Sequence, residues 1–126
     1  MADDYLTKDD KLLIKSMTSR LIELAKNKTP MGYQKFSDEF FLGWDMRDIE
    51  DRKKIGKLLG YISENEHKDR KPLLSVFIKH EDGLPGVGFF SMAEQLGRFI
   101  PKFMSKEDFV KRERQDAYNY WNKHKE

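Results

Sequence analysis

One stretch of this chain departs from the helical periodicity around it. Leu73 to Phe90 reads LLSVFIKHEDGLPGVGFF. A β-branched and aromatic run, Leu73–Ile78, meets a turn cluster, His80–Gly86, and a second apolar run begins at Val87. That order predicts an antiparallel β-hairpin with strands at about Leu73–Lys79 and Val87–Phe90. One hairpin is not stable alone in water, so it has to pack on the helices. The expected fold class is therefore α+β: a small helical domain with one β-hairpin, winged-helix-like in outline.

The size suits one domain spanning residues 1–126. Its parts are a helix-turn-helix-like region at 29–63, the hairpin at 73–90 and a C-terminal helix at 105–123. Charged residues make up 37% of the chain, yet nine Phe, five Tyr and two Trp supply enough large apolar groups for a core. The absence of Cys excludes a disulfide framework and a thiol nucleophile. No apolar run is long enough for a membrane span, and the acidic start Met1-Ala2-Asp3-Asp4-Tyr5 lacks a signal-peptide core. The expectation is a cytoplasmic protein without membrane, metal or cofactor.

Local signals place the helices. Thr7 with Asp10 is an N-cap pattern, and Leu13, Met17, Leu21, Leu24 and Ala25 then repeat at helical spacing. Thr29-Pro30-Met31-Gly32 reads as a turn, followed by a short helix from Tyr33 to Phe41 with Gly43 as a left-handed cap. A third helix is expected from Met46 to Ser63, with Ile55, Leu58, Leu59 and Ile62 as its stripe. Gly56 and Gly60 inside it suggest a second backbone packed closely on that face. Glu64 to Pro72 reads as an exposed polar linker. Ser91 with Glu94 and Ser105 with Asp108 are further N-cap signals, for helices ending at Gly97 and Lys123. The expected core is Leu21, Leu24, Phe36, Phe40, Ile55, Leu58, Leu59, Ile62, Val76, Ile78 and Phe89.

No constellation points to catalysis. His80-Glu81-Asp82 holds metal-ligating types, but Asp82-Gly83 is ordinary turn chemistry. Gly83, Gly86 and Gly88 precede an expected helix N-terminus but lack the Lys-Ser/Thr that completes a phosphate-binding loop. His67 and His124 sit in polar surroundings. Ser75 and Ser91 have no nucleophile-elbow context.

Thr29-Pro30-Met31-Gly32-Tyr33 and Ile55-Gly56-Lys57-Leu58-Leu59 resemble the start of the helix-turn-helix and the recognition helix of the alkylguanine alkyltransferase and alkyltransferase-like family. Leu73–Lys79 falls where that family has its reactive segment, and Gly83–Gly88 where it has its Gly-rich segment. The resemblance covers residues 29–90 and implies a winged-helix DNA-binding domain. The family's Pro-Cys-His-Arg core is replaced by Pro72-Leu73-Leu74-Ser75, which excludes alkyl transfer.

Two non-enzymatic functions follow from the residues. The first is nucleic-acid binding through Arg47, Arg52, Lys53, Lys54 and Lys57, at the third helix and its entry, where a recognition helix meets base edges. The net charge of +2 and a pI of about 8.7 offer only a modest field for it. The second is a protein-binding module, such as an inhibitor, adaptor or immunity-type protein. It would act through the loop Glu81, Asp82, Gly83 and Leu84 and through Tyr118 and Trp121 near the C-terminus.

Overall fold

The computed structural model describes residues 7–123. Its helices are α1 (Lys8–Asn27), α2 (Tyr33–Glu39), α3 (Ile49–Lys68), α4 (Val87–Gln95) and α5 (Lys106–Lys123). Two short strands, β1 (Met31–Gly32) and β2 (Ile78–Lys79), pair in parallel, with Met31 opposite Ile78 and Gly32 opposite Lys79. The molecule is thus a mostly helical α+β domain. No described helix is long and apolar enough to cross a membrane.

The expected hairpin is not formed. Leu74–Phe77 is a 3-10 turn, and Val87–Phe90 opens α4. The reason is burial on every side. All residues from Leu73 to Ile78 are buried, against α1, α3 and α5. A half-exposed strand alternates faces, and this segment has no exposed face to present. Its backbone groups are satisfied by side chains instead, as buried amides require. The Leu73 amide donates to Glu113 (2.8 Å) and the Ser75 amide to the Ser63 hydroxyl (3.0 Å). The Val76 carbonyl accepts from Arg114 (3.0 Å). Val87–Phe90 goes helical because Phe89, Phe90, Met92 and Ala93 then share one buried face. Phe89 and Phe90 there join Phe99 and Phe109 in an aromatic cluster, with neighbouring rings 5.0–6.0 Å apart. Gly86 is the N-cap of α4, so Ser91 lies in mid-helix and caps nothing.

Elsewhere the local signals set the ends. Thr7 and Asp10 form a reciprocal capping box, and the Asp108 amide donates to Ser105 at the start of α5. Gly97 turns left-handed after α4. α2 stops at Glu39, so left-handed Gly43 lies beyond it rather than capping it, and Phe41 is exposed. α3 begins later than expected and continues through most of the polar segment, ending at Lys68, where Arg70 adopts a positive φ. Its buried stripe simply goes on in polar residues, from Ile62 to Ser63 and Glu66. Met31-Gly32, read as turn, is β1. Of the expected core, Phe40 and Leu58 are only half-buried; the other nine are buried.

Candidate functional site

The five cations expected to meet nucleic acid do not form one stripe. Arg47 lies before α3 and is held by Asp45 at 2.9 Å. Arg52 donates to the Met46 carbonyl (3.1 Å). Lys53 lies 3.7 Å from Glu50, and Lys54 lies 3.6 Å from Asp51 and over the Trp44 ring. Lys57 is exposed one turn further on. Residues 40–48 separate α2 from α3, whereas a helix-turn-helix joins its helices with three or four. The first turn of α3 carries Glu50 and Asp51.

The second expected surface is also divided. Glu81 and Asp82 are exposed in a tight turn, where Asp82 accepts from the Leu84 amide (2.9 Å). Gly83 takes a positive φ, and its carbonyl accepts from Arg114 of α5 (3.0 Å). Leu84 is half-buried against the core. Trp121 is buried, with the Lys71 ammonium 5.3 Å from its ring, while Tyr118 is exposed. The C-terminal aromatics therefore serve mainly to dock α5.

What the fold does assemble is a hollow between α3 and α4, with a volume of about 560 Å³. Ile55, Leu59, Phe89 and Met92 line it from the core. At its margin Ile49 is 55% exposed and Val87 78% exposed. Gly56 and Gly60 form one wall. A Cβ built on either glycine would meet no atom within 4 Å, which corrects the expectation of a backbone packed closely on that face.

One end of the hollow is polar. The Tyr33 ring lies 4.6 Å from the His80 ring, and the Tyr33 hydroxyl accepts the Gly86 amide (2.8 Å). A side chain at Gly86 would bring its Cβ to 3.0 Å from His80 Nε2 and 3.4 Å from the Tyr33 hydroxyl. An added methyl here would be tight, and the exposed His80 ring would have to give by a few tenths of an ångström; the backbone itself, at φ −74°, does not call for glycine. Burial pushes the Tyr33 phenol above its ordinary pKa, partly offset by the Gly86 N–H, so the hydroxyl stays protonated at neutral pH. Arg52 and Lys53 complete the rim. Ser75 also lines the hollow, but its hydroxyl is engaged with Ser63 at 2.6 Å.

A second hollow of about 540 Å³ lies on the other side of the same glycines. It takes Lys54 and Lys57, together with Asp10 and Glu64. The expected cations are thus split, two to each hollow, with Arg47 in neither. His80, Glu81 and Asp82 do not converge, and no group of three or more metal-ligating side chains occurs among the described residues.

Sequence reasoning did not single out Tyr33, Ile49, Gly86 or Val87 as site residues. The visible signal was the pair of glycines in the middle of an otherwise regular helix. Compared with known proteins, the chain matches no family model, no curated protein and no solved structure.

Proposed function

We propose that this chain is a non-enzymatic protein-binding module whose partner seats an apolar group in the hollow between α3 and α4. One observation carries the reading. Two glycines stand in the middle of α3, each at a cost of about 1 kcal/mol relative to alanine. No neighbouring atom needs the space they leave. That space opens a hollow fronted by exposed Ile49 and Val87. Exposed apolar groups around a concave apolar site are what partner surfaces cover.

The winged-helix nucleic-acid reading finds less support. It needs a wing at 73–90, which the 3-10 turn and α4 occupy, and a cationic entry to α3, where Glu50 and Asp51 stand. It also needs a continuous basic face, and the cations of α3 are parted between two hollows.

Gly56→Leu tests the proposal. The larger side chain occupies the space beside Gly56, its Cβ meets no neighbour and the helix gains propensity, so the variant should stay folded, with a melting temperature close to that of the wild type. Peptides selected from a displayed random library on the wild-type chain should lose their affinity for it. Peptides that bind both proteins equally would remove the hollow as the docking site. Wild-type binding to mixed-sequence DNA at about 50 mM salt, where the phosphate contribution is strong, would favour the nucleic-acid reading if Arg52→Ala and Lys57→Ala abolished it.

A further inference from the structure

We propose that the partner segment seated between α3 and α4 is acidic: a stretch of peptide that places a carboxylate beside a large apolar side chain. The inference rests on the docking reading above and deepens it.

The charge around the hollow is one-sided. Arg52 and Lys53 line it, and among the described residues no Asp or Glu does. This bias is local, since the whole chain carries 24 Lys and Arg against 22 Asp and Glu. The second hollow has cations and carboxylates together, so the asymmetry belongs to this site and not to α3 as a whole.

The uncharged polar groups point the same way. The Tyr33 hydroxyl already accepts the Gly86 N–H, which leaves its own hydrogen to donate. His80 stacks beside it and offers a ring N–H in either protonation state. α4 begins at the same place with no side-chain cap and no acidic residue in its first turn. The Phe89 amide already donates to the Gly86 carbonyl (3.1 Å), but the Val87 and Gly88 amides precede the first helical acceptor and add to the donors gathered there. A site rich in donors and poor in acceptors is complemented by an acceptor, and an apolar floor by an apolar group. A carboxylate next to an aromatic or aliphatic side chain supplies both.

A peptide fits better than a small amphiphilic acid. A molecule small enough to lie within the hollow leaves the outer faces of Ile49 and Val87 in water, and a partner chain crossing the mouth covers them. The Lys53–Glu50 contact does not compete strongly. It is a 3.7 Å pair with both side chains about two-thirds exposed, a geometry that contributes little.

The test is fluorescence anisotropy on the intact chain with short labelled peptides. All share one Trp-Leu anchor, flanked by Asp, Ser or Lys. The Asp peptide should bind about tenfold or more tightly than the Lys peptide, and its affinity should fall as salt screens the pair. Arg52→Gln with Lys53→Gln should erase that preference while the melting temperature holds. Gly56→Leu should abolish binding of every peptide.

Equal binding of Asp and Lys peptides, both lost in Gly56→Leu, would overturn the acidic assignment and leave the docking reading standing. No binding by any peptide, or binding that Gly56→Leu does not disturb, would overturn both. Displacement of the Asp peptide by octanoate at comparable affinity would overturn the peptide assignment in favour of a small acid. Displacement by single-stranded DNA would overturn it in favour of nucleic acid.

Discussion

The two hollows on either side of Gly56 and Gly60 are nearly equal in volume and unlike in chemistry. The first is floored by core residues and rimmed by cations. The second also reaches the core, at Ile14 and Met92, but is walled by half-buried Leu58, Tyr61 and Trp44, with charges of both signs. One helix supplies a face to each. A gap in packing is therefore not in itself a site; what lines it decides which groups it can hold. Arg52 and Lys53 are within two residues of Lys54, yet the turn of the helix places them over different neighbours.

This contrast is open to test, beginning with stability. Leu59 belongs to the floor of the first hollow and is 4% exposed, whereas Leu58 lines the second and is half-buried. Leu59→Ala should lower the free energy of unfolding by about 2–5 kcal/mol, the cost of emptying a packed aliphatic site. Leu58→Ala should lower it by roughly 1 kcal/mol, in proportion to the smaller area it hides. Urea titration measures both. Equal losses would erase the distinction between the two leucines, and with it the deeper packing assigned to the first hollow.

A smaller effect of opposite sign is expected where the hollows meet. Gly56→Ala should raise stability by about 0.5–1 kcal/mol, because the helix gains propensity and the new methyl meets nothing. The thermal midpoint should rise by roughly 3 °C. A fall instead would mean that a neighbour closes on the glycine in solution.

The smallest effect belongs to a pair bordering neither hollow. Arg20 of α1 holds Glu39 at 2.8 Å, and that hydrogen bond keeps the Glu39 carboxyl below its ordinary pKa. A carboxyl depressed in the folded state stabilises it above the unfolded pKa, and the contribution is lost as pH falls through the folded value. Glu39→Gln should therefore cost about 0.5 kcal/mol at neutral pH. The difference should vanish well below pH of about 4, the ordinary carboxylate range. A difference that persists there would assign the effect to packing rather than charge.

Much of the helical framework was legible from local chemistry. Thr7 with Asp10, left-handed Gly97 and Ser105 with Asp108 mark ends that depend on a few adjacent residues. Ile55, Leu59 and Ile62 repeat at helical spacing, and they are buried. The segment from Leu73 to Phe90 was not legible in the same way. A short apolar run reads equally as a buried strand or as another buried element, because with no exposed face it has no periodicity to display. Of the candidate site, the glycine pair could be seen, but not what surrounds it. Tyr33 and Gly86 are brought together across 53 positions of sequence.

Sequence alone, then, determined where α1 and α5 begin and α4 ends, that Ile55, Leu59 and Ile62 of α3 face inward, and that the chain carries almost balanced charge. Each of these depends on neighbours within a turn or two, or on composition. Only the tertiary structure decided that Leu74–Phe77 is a 3-10 turn and that Ile78 pairs with Met31. It alone parted the cations of α3 between two hollows. Those outcomes depend on Ser63, Glu113 and Arg114 reaching buried backbone groups from other helices, and on α4 lying beside the two glycines. A buried amide must be satisfied by whatever group the fold brings to it, and that group need not be near it in sequence.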